Sequence, residues 1–145
     1  MQNSEFNKEF IITLQFVQNI IARMATMCTI CKICATTAFT AFIVAGMNVK
    51  TGMVFLLAAL FLIVLAWIDG RYLFRERNYI GHYQELVEKW NLGTLQKEDM
   101  FKVTIGSLKK HPKNTKCSPL LSSSILPFYG ILLVCDGLIF LMVRA

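Results

Sequence analysis

The feature that most constrains the fold is an apolar run at residues 53–68, which carries no charged side chain and ends at Asp69. A helix rises about 1.5 Å per residue, so this run would cover about 24 Å of the roughly 30 Å hydrocarbon core of a bilayer. Two further apolar runs flank it, at residues 33–47 and 120–143. Three runs of this kind predict an all-α membrane protein with three transmembrane helices.

Composition agrees with a membrane protein, because 55% of the 145 residues are hydrophobic and only 17% are charged, whereas soluble domains carry roughly 25% charged residues. Three spans take up nearly half of the chain, which leaves no room for a separate soluble domain. We therefore divide a single membrane domain into six parts. These are an N-terminal amphipathic helix (1–24), span 1 (about 25–47), span 2 (53–68), a cytoplasmic helix (69–92), a basic cytoplasmic segment (93–118) and span 3 (120–143).

The distribution of basic residues predicts the orientation of the chain. Of the 15 Lys and Arg residues, 13 lie either before residue 33 or between spans 2 and 3. The positive-inside rule places both of these regions in the cytoplasm, so the N-terminus should lie inside and the C-terminus outside. The lysines that precede span 3 should also attract anionic lipid headgroups. Nucleic-acid binding is disfavoured, because the basic segment lacks a folded scaffold with interleaved aromatic side chains.

The N-terminal segment is amphipathic. The apolar residues of one helix face recur at spacings of three and four, and they are Phe6, Phe10, Leu14, Val17, Ile21 and Met24. This spacing predicts an amphipathic helix that lies in the membrane interface or packs along a neighbouring helix. A role in membrane remodelling or gating is the alternative.

The segment after span 2 continues the helical pattern, so span 2 should extend into the cytoplasm as one long helix. One face of this extension carries an aromatic stripe made of Tyr72, Tyr79, Tyr83 and Trp90, together with Leu86. Such a stripe needs a partner, which predicts a partner or oligomer interface. Glu76 occupies a position within the stripe, and we expect it to form an ion pair with Arg75, Arg77 or Arg23. A functional acid is the alternative for Glu76.

A family resemblance rests on three motifs. The first consists of Asp69, Tyr72, Leu73, Glu76 and Arg77, which resemble the D-x-x-Y-L-x-x-E-R core of a widespread group of small bacterial multi-span inner-membrane proteins. In that group the second span ends in a motif close to D-A-Y-Y-L-R-Q-E-R. Residues 17–25, which include Arg23, resemble the group's N-terminal V-I-x-R-M-A segment, and Lys32 stands where the group often has a lysine. Residues 128–130, centred on Tyr129, resemble an F-Y-G in its third span.

The resemblance implies location and architecture more than activity. It implies a bacterial inner membrane, and structural roles for the motif residues Arg23, Lys32, Asp69 and Tyr129. The group has no assigned reaction. Some small multi-span proteins of this build act as membrane effectors in bacterial anti-phage systems, and this analogy supplies a functional expectation.

The cysteines invite a metal or redox interpretation. Cys28, Cys31 and Cys34 form a C-x-x-C-x-x-C run, which resembles part of an iron–sulfur ligand set. In a helix, however, the three side chains spread over about 120° and form one packing patch. We therefore interpret them as packing residues, with a redox switch or a cluster as alternatives. The sequence shows no phosphate loop, zinc signature or catalytic constellation, so we predict no metal, no cofactor and no enzymatic activity.

Asp136 is the one carboxylic acid within a predicted span, and a charge there costs about 3 kcal/mol. Three explanations compete: an ion pair with Lys50 or Arg144, a polar contact between subunits, or the lining of a water-filled path. The hydroxyls of Ser122, Ser123 and Ser124 can bond across helices. Span 3 is therefore the expected lining if a pore forms, and its few polar residues would require several copies of the chain.

Two functions follow from these observations. The preferred one is a small oligomeric inner-membrane effector that perturbs or permeabilises the membrane, in a setting such as anti-phage defence. The alternative is a non-catalytic scaffold or regulatory subunit that docks a cytosolic or membrane protein through its aromatic helix. On that alternative, the interface residues would be Tyr72, Glu76, Arg77, Tyr79, Tyr83 and Trp90.

Overall fold

The computed structural model of the chain describes residues 2–49, 51–100 and 122–144. About 91% of these residues are helical, and none of them forms a strand. The helices are α1 (Gln2–Val49), α2 (Gly52–Asn91), α3 (Lys97–Met100) and α4 (Leu126–Arg144). Most of the predicted basic segment, and the first residues of predicted span 3, lie outside the described residues.

Three helices are long and apolar enough to cross a membrane, over Glu5–Val49, Gly52–Asn91 and Leu126–Val143. For the residues that the structure describes, this confirms the predicted all-α character and the prediction of three helices able to span a membrane. Helix α4 begins at Leu126, later than the predicted start of span 3. The residues before it form a turn instead, in which the amides of Ile125 and Leu126 both donate to the carbonyl of Ser122. Pro127 suits the first turn of a helix, where its missing N–H is not needed.

The predicted boundary between the amphipathic helix and span 1 does not interrupt the structure, because α1 runs without a break through residue 24. No glycine or proline precedes Gly46, so nothing in this stretch disfavours a continuous helix. Helix α2 likewise continues past Asp69 into the predicted extension. We call α1 up to residue 24, together with α2 from residue 70, the stalk.

Helices α1 and α2 form a tight hairpin, in which Gly46 of α1 lies against the Phe55 ring of α2. A Cβ atom at this position would lie 2.5 Å from Cζ of Phe55. The Phe55 ring is itself buried, with 1% of its surface exposed, so a methyl group at position 46 would displace a packed side chain. The missing side chain of Gly46 is therefore what allows the ring to pack between the two helices.

We expect the substitution Gly46→Ala to lower the free energy of unfolding by about 1–3 kcal/mol, because it forces a methyl group against a buried ring. Thermal unfolding of the purified protein in detergent measures this. Gly130→Ala is the matched control, since a Cβ there would have no heavy atom within 4 Å. The shorter side chain of Phe55→Leu should partly rescue Gly46→Ala. Equal stability of the two glycine variants would contradict this packing.

The buried residues form two clusters. The stalk core contains Phe10, Val17, Leu86 and Met100. The span core contains Ala35, Leu62, Ile125 and Tyr129, where α1 and α2 meet the start of α4. Between the two clusters lies the end of the apolar segment of α2, at Asp69.

The aromatic stripe of α2 is largely covered by the chain's own α1. The Trp90 ring stacks on the Phe10 ring with a centroid distance of 4.1 Å and an interplanar angle of 4°. Nε2 of Gln18 donates to the Tyr83 hydroxyl at 3.1 Å, and Tyr79 is only 8% exposed. The face predicted to bind a separate partner therefore packs, at Tyr83 and Trp90, against the apolar face of the N-terminal helix.

Candidate functional site at the helix junction

Polar and ionisable side chains gather where α1 and α2 meet the start of α4. We call this group the polar junction. It consists of Cys28, Cys31, Lys32, Asp69, Glu76, Arg77, Ser122, Ser124 and Tyr129. It includes three of the four motif residues, while the fourth, Arg23, lies exposed on α1.

Asp69 is the most unusual member of the polar junction. It is 1% exposed, and neither of its carboxylate oxygens has a hydrogen-bond partner among the described residues. The Tyr129 hydroxyl lies beside this carboxylate, but the two groups do not meet hydrogen-bond geometry. An unsatisfied buried polar group costs about 1–3 kcal/mol. Two such groups side by side are uncommon in folded proteins, and they make Asp69 and Tyr129 candidate functional residues.

The turn before α4 is held by one hydrogen bond from each long helix. Nζ of Lys32 on α1 donates to Oγ of Ser124 at 2.8 Å. Nη2 of Arg77 on α2 donates to Oγ of Ser122 at 3.1 Å. Two of the three predicted serines thus bond across helices, and Ser123 is exposed.

Glu76 is half-buried beside Arg77, but it does not form the expected ion pair. The ion pairs in the described part of the chain join Lys89 to Glu85 and Asp99, and Lys97 to Glu9. Arg77 instead uses its guanidinium to hold Ser122. The prediction of a Glu76 ion pair is therefore wrong for this structure, because Arg77 donates instead to Ser122 in the turn before α4.

The cysteine run divides between buried and exposed positions. Cys28 and Cys31 are buried near Asp69, and Sγ of Cys28 lies 3.9 Å from the Asp69 carbonyl oxygen, whereas Cys34 is exposed. Cys28, Cys31, Cys34 and Cys135 are all free thiols. Within the described ranges, no group of three or more His, Cys, Asp or Glu side chains could hold a metal ion.

Asp136 lies two turns after Tyr129 on α4, outside the polar junction. It is 4% exposed, and its Oδ1 atom has no hydrogen-bond partner in the part of the chain that the structure describes. It lines a cavity of about 200 Å³ between α2 and α4, together with Phe55 and Phe140. The two proposed ion-pair partners, Lys50 and the Arg144 side chain, lie outside the described residues.

Sequence reasoning did not anticipate the hydrogen bonds from Lys32 and Arg77 to the turn before α4, nor the burial of Cys28 beside Asp69. A local signal existed at Lys32, which is a charged residue next to an apolar run. Chemically, the polar junction places a buried carboxylate next to a phenol and two thiols, where α1 and α2 meet the start of α4. No family model, curated protein or solved structure matches the chain.

Proposed function

We propose that the protein is a small oligomeric effector of a bacterial inner membrane that permeabilises or depolarises this membrane, in a defence setting such as the response to phage. The observation that carries the proposal is Asp136, a buried ionisable group with an unpaired oxygen inside an apolar helix. A charge at such a position costs about 3 kcal/mol, and charged groups kept within spans usually serve ion pathways or helix contacts.

The way in which α4 is attached to the hairpin outside the span core supports movement of α4 as the mechanism. Two hydrogen bonds hold the turn before it, and each contributes only about 1 kcal/mol. Farther along α4, the 200 Å³ cavity beside Asp136 leaves the contact between α4 and α2 incompletely packed. A shift of α4 would open the seam with α2 and admit water to Asp136. Several copies, each supplying one α4, would then line a polar path.

The stalk provides the input in this mechanism. Both α1 and α2 pass from the stalk through the polar junction without a break. A change in stalk packing would therefore be transmitted by two continuous helices to the residues that hold α4. The scaffold alternative is less well supported, because the aromatic stripe that would dock a partner already packs against α1.

Inducible expression with simultaneous recording of membrane potential and growth tests the proposal. The wild-type protein should depolarise cells before growth stops. The double variant Ser122→Ala/Ser124→Ala should do so at a lower level of expression, because it removes both hydrogen bonds at the start of α4. Ser123→Ala, at the exposed serine between them, should behave like the wild type. If no inducing condition depolarises cells, the scaffold alternative becomes the better account.

The proposed orientation, with the N-terminus inside, makes a separate prediction. Cysteines introduced at the exposed positions Thr51 and Leu92 lie at opposite ends of α2. In intact cells a membrane-impermeant thiol reagent should label the cysteine at position 51 and spare the one at position 92. Cys117 is replaced by serine in both proteins, and lysed cells control for reactivity. Labelling at position 92 but not at position 51 would show the opposite orientation.

A further inference from the structure

The outward face of α2 changes at Trp67 from apolar side chains to aromatic and basic ones. Exposed apolar side chains follow one line along the helix, through Leu56, Leu60 and Val64, and each lies one turn from the next. The same line continues with Trp67, Arg71 and Arg75. A row that would contact lipid chains therefore runs directly into an aromatic residue and two cations.

A shallow cavity lies at the end of this row, where the aromatic residue and the two cations stand. It has a volume of about 170 Å³ and is lined by Trp67, Ile68, Arg71, Tyr72 and Arg75. The guanidinium carbon of Arg71 lies 5.7 Å from the centroid of the Trp67 ring. This cation–π contact holds the guanidinium against the indole, so the cavity combines an apolar floor with a positioned positive charge.

Both arginines are available to an anion. None of the ion pairs among the described residues involves Arg71 or Arg75, although the stalk contains several carboxylates. Two guanidinium groups one helical turn apart can bind one phosphate from two sides. Arg71 and Arg75 thus present unpaired positive charge where the apolar row ends.

We propose that Trp67, Arg71, Tyr72 and Arg75 form a binding site for the phosphate headgroup of an anionic phospholipid. The position favours a lipid over a soluble phosphate, because Trp and Tyr are typical of the membrane interface and the apolar row continues from the cavity toward the acyl chains. Arginine suits this role through its planar fork of donors, which matches the phosphate oxygens. The site does not depend on the proposed permeabilising activity.

Lipid titration of the full-length protein in a neutral detergent tests the site. Native mass spectrometry counts the bound molecules of phosphatidylglycerol and of phosphatidylcholine. Wild-type protein should bind phosphatidylglycerol more tightly than phosphatidylcholine. The double variant Arg71→Gln/Arg75→Gln should lose roughly thirty-fold in that affinity, with phosphatidylcholine binding unchanged. Arg71→Lys/Arg75→Lys should fall between the two, since it keeps the charge but loses the fork.

The control variant Lys8→Gln/Lys97→Gln removes the same charge from exposed positions of the stalk and α3. It should change the affinity for phosphatidylglycerol less than about two-fold if the effect is local. An equal loss of affinity in this control, or wild-type affinity in the double-lysine variant, would show that binding depends only on net charge. Either result would contradict the proposed site. Binding of inorganic phosphate as tight as that of phosphatidylglycerol would overturn the assignment to a lipid.

Discussion

Replacing Phe10 with alanine should open the stalk, with a loss of about 3–5 kcal/mol in its local stability. The Phe10 ring is 5% exposed and stacks on Trp90 at 4.1 Å, in the centre of the stalk core. Its removal leaves a cavity and ends the aromatic contact between α1 and α2. Hydrogen exchange measured by mass spectrometry should show faster exchange in the peptides that cover residues 5–24.

Phe16→Ala is the matched control for this experiment. It removes the same side chain from the same helix, but Phe16 is 54% exposed, so exchange in the stalk should stay close to that of the wild type. A second comparison uses Trp90→Ala. Because Phe10 and Trp90 contact each other, the double variant should lose less than the two single losses added together. Equal exchange in the Phe10 and Phe16 variants would show that α1 does not cover the stripe in solution.

The pairing of α1 with α2 could be predicted from the sequence. The turn between them is short, and in an antiparallel hairpin this fixes the register of the two helices. The observed contacts obey this rule, because Phe10 meets Trp90, Cys28 meets Asp69 and Gly46 meets Phe55, so that each pair of residue numbers adds to about 100. Each apolar face could be recognised by its spacing. That the two faces cover each other follows only when both helices are extended from the same turn.

The position of α4 could not be predicted in this way. Its connection to α3 is long, and a long connection does not fix the register of the helix that follows it. The hydrogen bonds from Lys32 and Arg77 depend on that register. Sequence reasoning could therefore single out Lys32 and Asp69 through the family resemblance and Ser122 through its hydroxyl, but it could not place them together.

Asp136→Asn should abolish or strongly reduce depolarisation while leaving insertion and assembly unchanged. Asparagine keeps the shape and the hydrogen-bonding capacity of the side chain, so the variant isolates the charge. A unit charge about 4 Å from a passing cation lowers its energy by about 4 kcal/mol at an effective dielectric constant of about 20. Loss of even a third of this would slow conduction about tenfold. Membrane potential recorded during induction, at matched protein levels, measures the effect.

Asp136→Glu provides the control, because it keeps the charge and the 200 Å³ cavity beside Asp136 can accept a longer side chain. It should retain depolarising activity. If the charge served only an ion pair, Asp136→Asn would instead lower stability by about 1 kcal/mol without affecting membrane potential. If Asp136→Asn depolarises cells as much as the wild type does, then Asp136 does not line a conducting path. The unpaired oxygen of Asp136 would then be explained by a contact between subunits, which cross-linking through α4 would detect.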